Sequence, residues 1–324
     1  MRRHQQLLSL LADGHFHSGA ALGRALGVGR TTVWQLVRAL QARGLEVFAV
    51  PGKGYRLAQP VELLGRERVL AALDPATRAL LCELVVLPEV DSTNRYLLAG
   101  ARRGLAGGCA CLAEHQSAGR GRRGRGWVSP LGANVYLSVL WRFDGMPGGP
   151  QALSLAMGVA TANALLELGA HDLGLKWPND LVVQGRKAGG LLLEMEGESS
   201  GPWAVVVGVG LNVGTPPAAA VGIDQPWADL RTAGLEASRN RVAGRVLNHL
   251  LVALARYARE GFVPFRARWD RLDVVRGHPV RVEAGAQVTE GLARGVDETG
   301  ALLLAAGGEV RRIVSGEASL RVAG

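Results

Sequence analysis

The sequence predicts an α+β protein in three parts: an N-terminal winged helix-turn-helix, a central mixed α/β domain, and a small C-terminal β barrel of the SH3 type. Three observations predict it. Apolar residues at helical spacing fill the first 43 positions, and a short hairpin pattern follows them. Strand-like apolar runs and helical runs are mixed through the middle. From about Val274 onward, short β runs alternate with glycine turns. The expected boundaries are 1–60, 61–273 and 274–324.

The first module begins with Leu7, Leu8, Leu10 and Leu11 on one helical face. His17-Ser18-Gly19 offers a cap for a second helix, Ala20 to Leu26, which Gly27 ends. After the Gly27-Val28-Gly29 turn, Val33, Leu36, Val37 and Leu40 repeat at i, i+3, i+4 and i+7, and Gly44 stops that helix. Its other face carries Arg30, Thr31, Thr32, Trp34, Gln35 and Arg38, residue types that contact phosphates and base edges. Val47 to Val50 and Tyr55 to Leu57 flank Pro51-Gly52-Lys53-Gly54, a hairpin with Lys53 at its tip. Residues 1–60 hold eight basic residues against two acidic ones, two-thirds of the chain's net +9. A basic module with a wing favours operator DNA over a three-helix interaction module.

Gln59-Pro60 reads as a linker and Leu63 to Leu73 as a bridging helix. Leu84 to Val90 is a strand that runs into Asp91-Ser92-Thr93-Asn94, which opens a helix to Arg103. Hydroxyls there can cap the helix or bond a ligand, and capping is the simpler reading. Cys109 to Gln116 and Asn134 to Trp141 read as buried strands around Gly119 to Arg125, Gly-Arg-Gly-Arg-Arg-Gly-Arg, closed by Gly126 and Trp127. Arginine forks suit oxyanions, and glycine lets a backbone wrap them. The flanking strands make this an insertion in a fold rather than a flexible nucleic-acid tract. Lys176-Trp177-Pro178-Asn179-Asp180 projects a lysine, an amide and a carboxylate from five consecutive residues, a set able to place phosphate beside a divalent metal. Leu181 to Val183 and Lys187 to Glu194 form a hairpin, with Lys187 either at a pocket mouth or simply snorkelling. Gly208 and Gly210 lie on a strand and suit close approach of a flat ligand, without the third glycine of a dinucleotide fingerprint. Two helices, about Arg239 to Arg259 and Val263 to Leu272, precede the barrel.

Composition bounds the rest. At 324 residues and 48% hydrophobic the chain buries a sizeable core, and no unbroken apolar run reaches 18 residues. With no apolar region behind Met1 to Gln5, the expectation is a cytoplasmic protein with no membrane partner. Cys82, Cys109 and Cys111 fit reduced, buried thiols. Among 37 basic residues only Lys53, Lys176 and Lys187 are lysine, and each falls inside a motif above, where a compact charge serves better than a fork.

Together these motifs resemble the biotin–protein ligase family in its bifunctional form, which also represses biotin-synthesis genes. The resemblance rests on Asp91 to Asn94, Gln116 through Trp127, Lys176 through Asp180, Lys187, Gly208 through Asn212, and Gly316 to Arg321. It implies a central domain of the biotin/lipoate ligase type, with ATP and biotin as substrates and Mg²⁺ as the metal, near Asp180. It implies biotinyl-5′-AMP as intermediate, a biotin carboxyl carrier domain as acceptor, and a homodimer when the adenylate is bound. Carried onto this chain, Ser92, Thr93, Asn94, Gln116, Arg120, Gly121, Arg122, Lys187, Gly208 and Gly210 would hold biotin. Arg122, Arg123, Arg125, Trp127, Asn179 and Asn212 would hold the nucleotide, with Asn212 on the adenine. Lys187, Arg120, Lys176 and Asp180 would carry the chemistry. Two rivals are a lipoate-type protein ligase, whose substrate lacks a ureido group, and a DNA-binding biotin sensor without turnover.

Overall fold

The computed structural model describes residues 2–145, 149–197, 202–284, 287–314 and 318–322. Helices α1 (Arg2–Leu11), α2 (Gly19–Leu26) and α3 (Arg30–Gln41) pack with the hairpin β1 (Val47–Val50) and β2 (Gly54–Leu57). Leu7, Leu11, Leu22, Leu26, Val33, Val37, Leu40 and Leu57 form their shared core. Ser18 Oγ accepts from Ala21 N at 3.1 Å to start α2, and Gly27 ends it at φ 63°, so the helix-turn-helix stands where the caps place it.

The segment expected to be a helix from Leu63 to Leu73 is helical only over α4 (Arg66–Leu70), with α5 (Pro75–Arg78) after it. Side chains capture its first backbone amides. Leu64 N donates to the Glu114 carboxylate, and Gly65 N donates to Asn240 Oδ1 at 2.7 Å. Those long-range bonds hold residues 63–65 extended, out of reach of a helical ladder.

The central sheet takes the order β3 (Glu83–Leu87), β4 (Cys109–Ala113), β5 (Val135–Phe143), β9 (Trp203–Leu211), β8 (Arg186–Glu196), β7 (Asp180–Val183), β6 (Leu173–Lys176). β3 and β4 are parallel, and every other neighbouring pair is antiparallel. Strand alternation gives the sheet two apolar faces. Cys109, Cys111, Leu140 and Val206 meet α6 (Thr93–Arg102) through Leu97 and Leu98. Ala110, Leu112, Leu137, Val139, Val205 and Val207 join the core under α7 (Gly149–Glu167) and α9 (Arg239–Glu260). Cys82, expected buried, is exposed just before β3.

The short α8 (Pro217–Ala220) follows β9, and α10 (Val263–Leu272) leads to a five-stranded antiparallel sheet. That sheet orders β13 (Glu309–Ile313), β12 (Leu302–Ala306), β11 (Gln287–Val296), β10 (Pro279–Ala284) and β14 (Ala318–Val322). Val280, Val282, Ala293, Leu302 and Leu304 of this small barrel continue the central core. Trp177 Nε1 donates to Gly300 O at 3.0 Å, fixing the turn before β7 against the barrel. Of the terminal motif, Gly316 and Glu317 lie outside the described residues, as does 146–148 of the glycine- and proline-rich stretch after β5. Among the described residues no helix is long and apolar enough to cross a membrane.

Asp273 marks the passage from α10 to the barrel. Its Oδ2 is buried without a hydrogen-bond partner, and burial pushes its carboxyl up to about 6, with Asp270 adding to the rise and the Val275 amide opposing it. The folded state therefore holds this proton more tightly than the unfolded chain, so stability is lost as pH rises from about 4 through about 6. Asp273→Asn is expected to raise stability at pH 7 by about 2–3 kcal/mol and to flatten that part of the pH profile in urea melts.

Candidate active site

One cavity of about 1000 Å³ lies over β5, β8 and β9, walled by the start of α6, the Gly-Arg loop, the turn from Lys176 to Asp180, and residues 222–226. It gathers Ser92, Thr93, Asn94, Gln116, Arg120, Gly121, Arg122, Arg123, Arg125, Trp127, Lys176, Asn179, Asp180, Lys187, Gly208 and Gly210. Residues as far apart in sequence as Ser92 and Gly210 thus share one surface, which motif spacing alone does not bring about.

Ser92 precedes α6 but its hydroxyl does not cap the helix. Gln116 caps it instead, for its Oε1 accepts from Thr93 N at 3.0 Å and lies 3.1 Å from Thr93 Oγ1. Gln116 Nε2 in turn donates to Ser129 Oγ at 3.3 Å. Buried Ser92 is left with a hydroxyl on the cavity wall that has no partner among the described residues. A lone hydroxyl next to an amide and a second hydroxyl gives both donors and acceptors to a small polar ring.

The Gly-Arg loop folds back on itself. Trp127 N donates to Gly119 O at 2.9 Å and Gly121 N to Arg125 O at 2.8 Å, around a single 3-10 turn at Arg122–Gly124. Its arginines diverge. Arg120 Nη2 binds Glu194 at 2.7 and 3.0 Å. Arg122 Nη1 reaches Asn179 Oδ1 at 3.4 Å, and burial, with Arg123 beside it, lowers its pKa against the pull of Asp180. A guanidinium held at that cost beside a cavity is a place for an anion. Arg123, at φ 56°, donates to Glu283 O of the barrel at 3.3 Å, while Arg125 stays exposed at the rim.

Lys187 Nζ lies 2.7 Å from Asp180 Oδ1 and 5.8 Å from the Trp127 ring centroid, both within the cavity wall, so it is no snorkelling lysine. Lys176 is the cross-strand neighbour of Asp180. Asn179 Nδ2 donates to Leu191 O at 2.6 Å, locking the turn onto β8.

Three features of the site lie beyond the motifs. The strand glycines line the cavity close against the protein's own side chains: a methyl on Gly210 would sit 2.6 Å from the Trp127 ring, and one on Gly208 2.2 Å from Asn94 Oδ1. Their missing side chains admit the protein's own Trp127 and Asn94. Asn212 is buried and does not line the cavity, its amide nitrogen donating to Ala228 O at 3.1 Å. Arg120 is already paired with a carboxylate, Glu194, which carries no signal in the sequence because a glutamate late in a strand looks like a solvated end.

On the first module Arg30, Thr31, Trp34, Gln35, Arg38 and Lys53 are exposed and Thr32 is half-buried. Trp34 is 53% exposed, with the Arg38 guanidinium 5.8 Å from its ring. Arg56 lies 5.2 Å from Phe16 and 4.9 Å from Phe48, and Lys53 5.9 Å from Phe16. Phe16, Phe48 and Arg56 stand out in no motif, although Phe48 and Arg56 are cross-strand partners in the hairpin. The aromatics hold these cations extended without neutralising them, which carboxylates would do.

The comparisons agree with this layout. The biotin/lipoate A/B protein ligase family model matches residues 86–212, a helix-turn-helix model matches 3–56, and the biotin protein ligase C-terminal domain model matches 277–321. The bifunctional ligase/repressor BirA of Escherichia coli is 42% identical over 98% of this chain and 97% of its own length. The chain belongs to the biotin/lipoate A/B protein ligase family. With all three regions matched, it falls in the bifunctional ligase/repressor branch. The biotin–[acetyl-CoA-carboxylase] ligase of Mycobacterium tuberculosis is 38% identical over 72% of this chain and 88% of that protein. Among solved structures, biotin protein ligase from Aquifex aeolicus in complex with biotin and ATP matches with TM-score 0.63 and 29% identity, over 75% of this chain and all of that one.

Proposed function

We propose that this chain is an ATP-dependent biotin–protein ligase that forms biotinyl-5′-AMP and transfers biotin to a lysine of a biotin carboxyl carrier domain, and that it is also a biotin-responsive repressor. The observation that carries the ligase half is a single cavity lined both by the Ser92, Thr93 and Gln116 cluster and by Arg122, Lys176 and Lys187. A ureido ring presents two N–H donors and a carbonyl, which the first cluster matches; lipoate has no such group.

In the first half-reaction a biotin carboxylate oxygen attacks the α-phosphorus of ATP and pyrophosphate leaves. Two anions must approach each other, and Lys187 and Arg122 supply the opposing charge from a partly enclosed wall. Lys176 would take phosphate oxygens, and Trp127 would pack on the adenylate. In the second half-reaction the carrier's neutral lysine amine attacks the anhydride carbonyl, AMP leaves, and biotin stays as an amide. The Gly-Arg loop keeps water from the anhydride between the two steps.

Among the described residues no cluster of three or more His, Cys, Asp or Glu could hold a metal by itself. The donor set fits Mg²⁺ that arrives on the triphosphate, since this ion takes one or two carboxylates plus phosphate oxygens and water. Asp180, with Asp224 on the same wall, would hold it, where it would spread charge off the phosphate oxygens.

For the repressor half, the exposed Arg38 and Trp34 of α3 would enter a major groove, and Lys53 and Arg56 would meet flanking phosphates. A single module binds weakly, so adenylate-loaded chains would pair and set two winged helices on one operator. Electrophoretic shift of the protein's own promoter region is expected to tighten when biotin and ATP are present. Arg38→Ala should weaken binding and lower the salt slope by about one. Equal affinity with and without biotin plus ATP would remove the repressor half.

A further inference from the structure

We infer that the junction between the winged helix and the central domain holds a second ligand site, which takes an apolar monocarboxylate such as a medium-chain fatty acid. The inference goes beyond the ligase and repressor readings and needs neither. A cavity of about 460 Å³ opens where α1, the end of α3, the linker and the end of β3 meet. That volume lies in the range of small-molecule sites, about 300–1,000 Å³, and such sites favour domain boundaries.

Neither module makes this cavity alone. Leu8 and Leu40 come from the winged helix, and Leu64, Leu87 and Leu131 from the linker and the central domain. Leu131 is buried in the same apolar cluster as Leu8 and Leu40, so the two modules share a core beside the opening. Arg43, just past α3, donates to Glu89, just past β3, at 3.1 Å, which is a second tie between them. A ligand in this cavity touches both modules at once and so fixes the winged helix on the central domain.

Charge selects the ligand. Both carboxylates on the wall are spent, Glu89 on Arg43 at 3.1 Å and Glu114 on Arg239 at 3.0 Å. Arg66, also on the wall, pairs with Glu67 at 2.7 Å. Arg68 donates to the backbone at Leu63 O, 2.6 Å away, and among the described residues no carboxylate pairs with it. Half-buried His4 lines the same wall with no hydrogen-bond partner among the described residues. Burial, then Arg43 and the amino terminus, lower its pKa against the pull of Glu89. A guanidinium without a counter-ion beside apolar lining suits one carboxylate on an apolar body, whereas a cationic head meets like charge.

The test is calorimetry on the full chain with biotin in excess, so that the larger cavity is filled, using octanoate, hexanoate and octylamine as probes. Octanoate should bind once per chain. Each buried methylene contributes roughly fourfold, so hexanoate should bind roughly tenfold more weakly, and octylamine should not bind. Arg68→Gln should weaken octanoate by roughly threefold, a modest factor because Arg68 is exposed to water. Ser9→Trp, a change at an exposed wall position that fills the cavity, should abolish binding without lowering the melting temperature. No saturable octanoate binding, equal binding of octylamine, or binding that survives Ser9→Trp would overturn the site. Octanoate that binds only when biotin is withheld lies in the larger cavity, and that result overturns the site as well. A chain that does not bind biotin would instead overturn the ligase reading, and the Ser9→Trp comparison would still decide this one.

Discussion

Lys187→Ala is expected to slow biotin-dependent pyrophosphate release by roughly 10–100-fold or more, and to leave the protein folded. The ammonium sits 2.7 Å from Asp180 Oδ1, on the wall of the cavity in which the proposed reaction brings carboxylate and phosphate together. A charge-assisted contact made in the transition state contributes about 1.5–3 kcal/mol, which is that factor in rate. Lys187 and Asp180 are both about one-fifth exposed, so water reaches the carboxylate left behind and the stability loss should stay within about 1 kcal/mol. Lys187→Arg should rescue poorly, since a wide fork replaces a compact charge at a site already holding Arg122. Single-turnover measurement of pyrophosphate release decides it, and unchanged turnover in the alanine variant would take Lys187 out of the chemistry.

A larger change in stability is expected from Arg239→Ala. Arg239 Nη2 meets Glu114 Oε2 at 3.0 Å with both side chains over nine-tenths buried, and the same guanidinium donates to Asn134 O and Glu62 O. Glu114 also accepts from Leu64 N, so this pair ties the linker after the winged helix to β4 and α9. Removing the arginine leaves a buried, unpaired carboxylate, at a cost of about 3–5 kcal/mol. In urea unfolding the midpoint should drop with little change in slope. Replacing both partners with apolar residues of similar volume should recover most of the loss; a single variant within about 1 kcal/mol of wild type would contradict this account of the junction.

The winged helix was legible because each device there is local: an i, i+3, i+4, i+7 stripe, a serine cap, glycine stops and a basic excess. The hairpin after Asp180 was legible for the same reason, with Gln184 at φ 50° and Gly185 at φ 74° in a two-residue turn. Helix α7 was not, because it is apolar nearly all round. Ala152, Leu153, Leu155, Ala156, Met157, Val159 and Ala160 are all buried, so no polar face marks a helical period. The helix expected from Leu63 failed for a different reason, since its amides are taken by Glu114 and Asn240, 50 and 175 positions away. At the site, the motifs named most of the cavity wall, but not what the side chains do to one another. Trp127 on Gly210, Asn94 on Gly208, and Glu194 on Arg120 are long-range packings that no spacing rule encodes. The bond from the Asn212 amide nitrogen to the backbone of residue 228, 16 positions away, is another.

The most direct test of the central claim is transfer itself. The purified chain, ATP, Mg²⁺ and an apo biotin carboxyl carrier domain are incubated with biotin or with lipoate, and the carrier is read by intact mass. The account predicts one biotinyl group on one carrier lysine, one AMP and one pyrophosphate per transfer, and no lipoyl product. Lipoyl transfer at a comparable rate, or an unmodified carrier while biotin still binds, would contradict it.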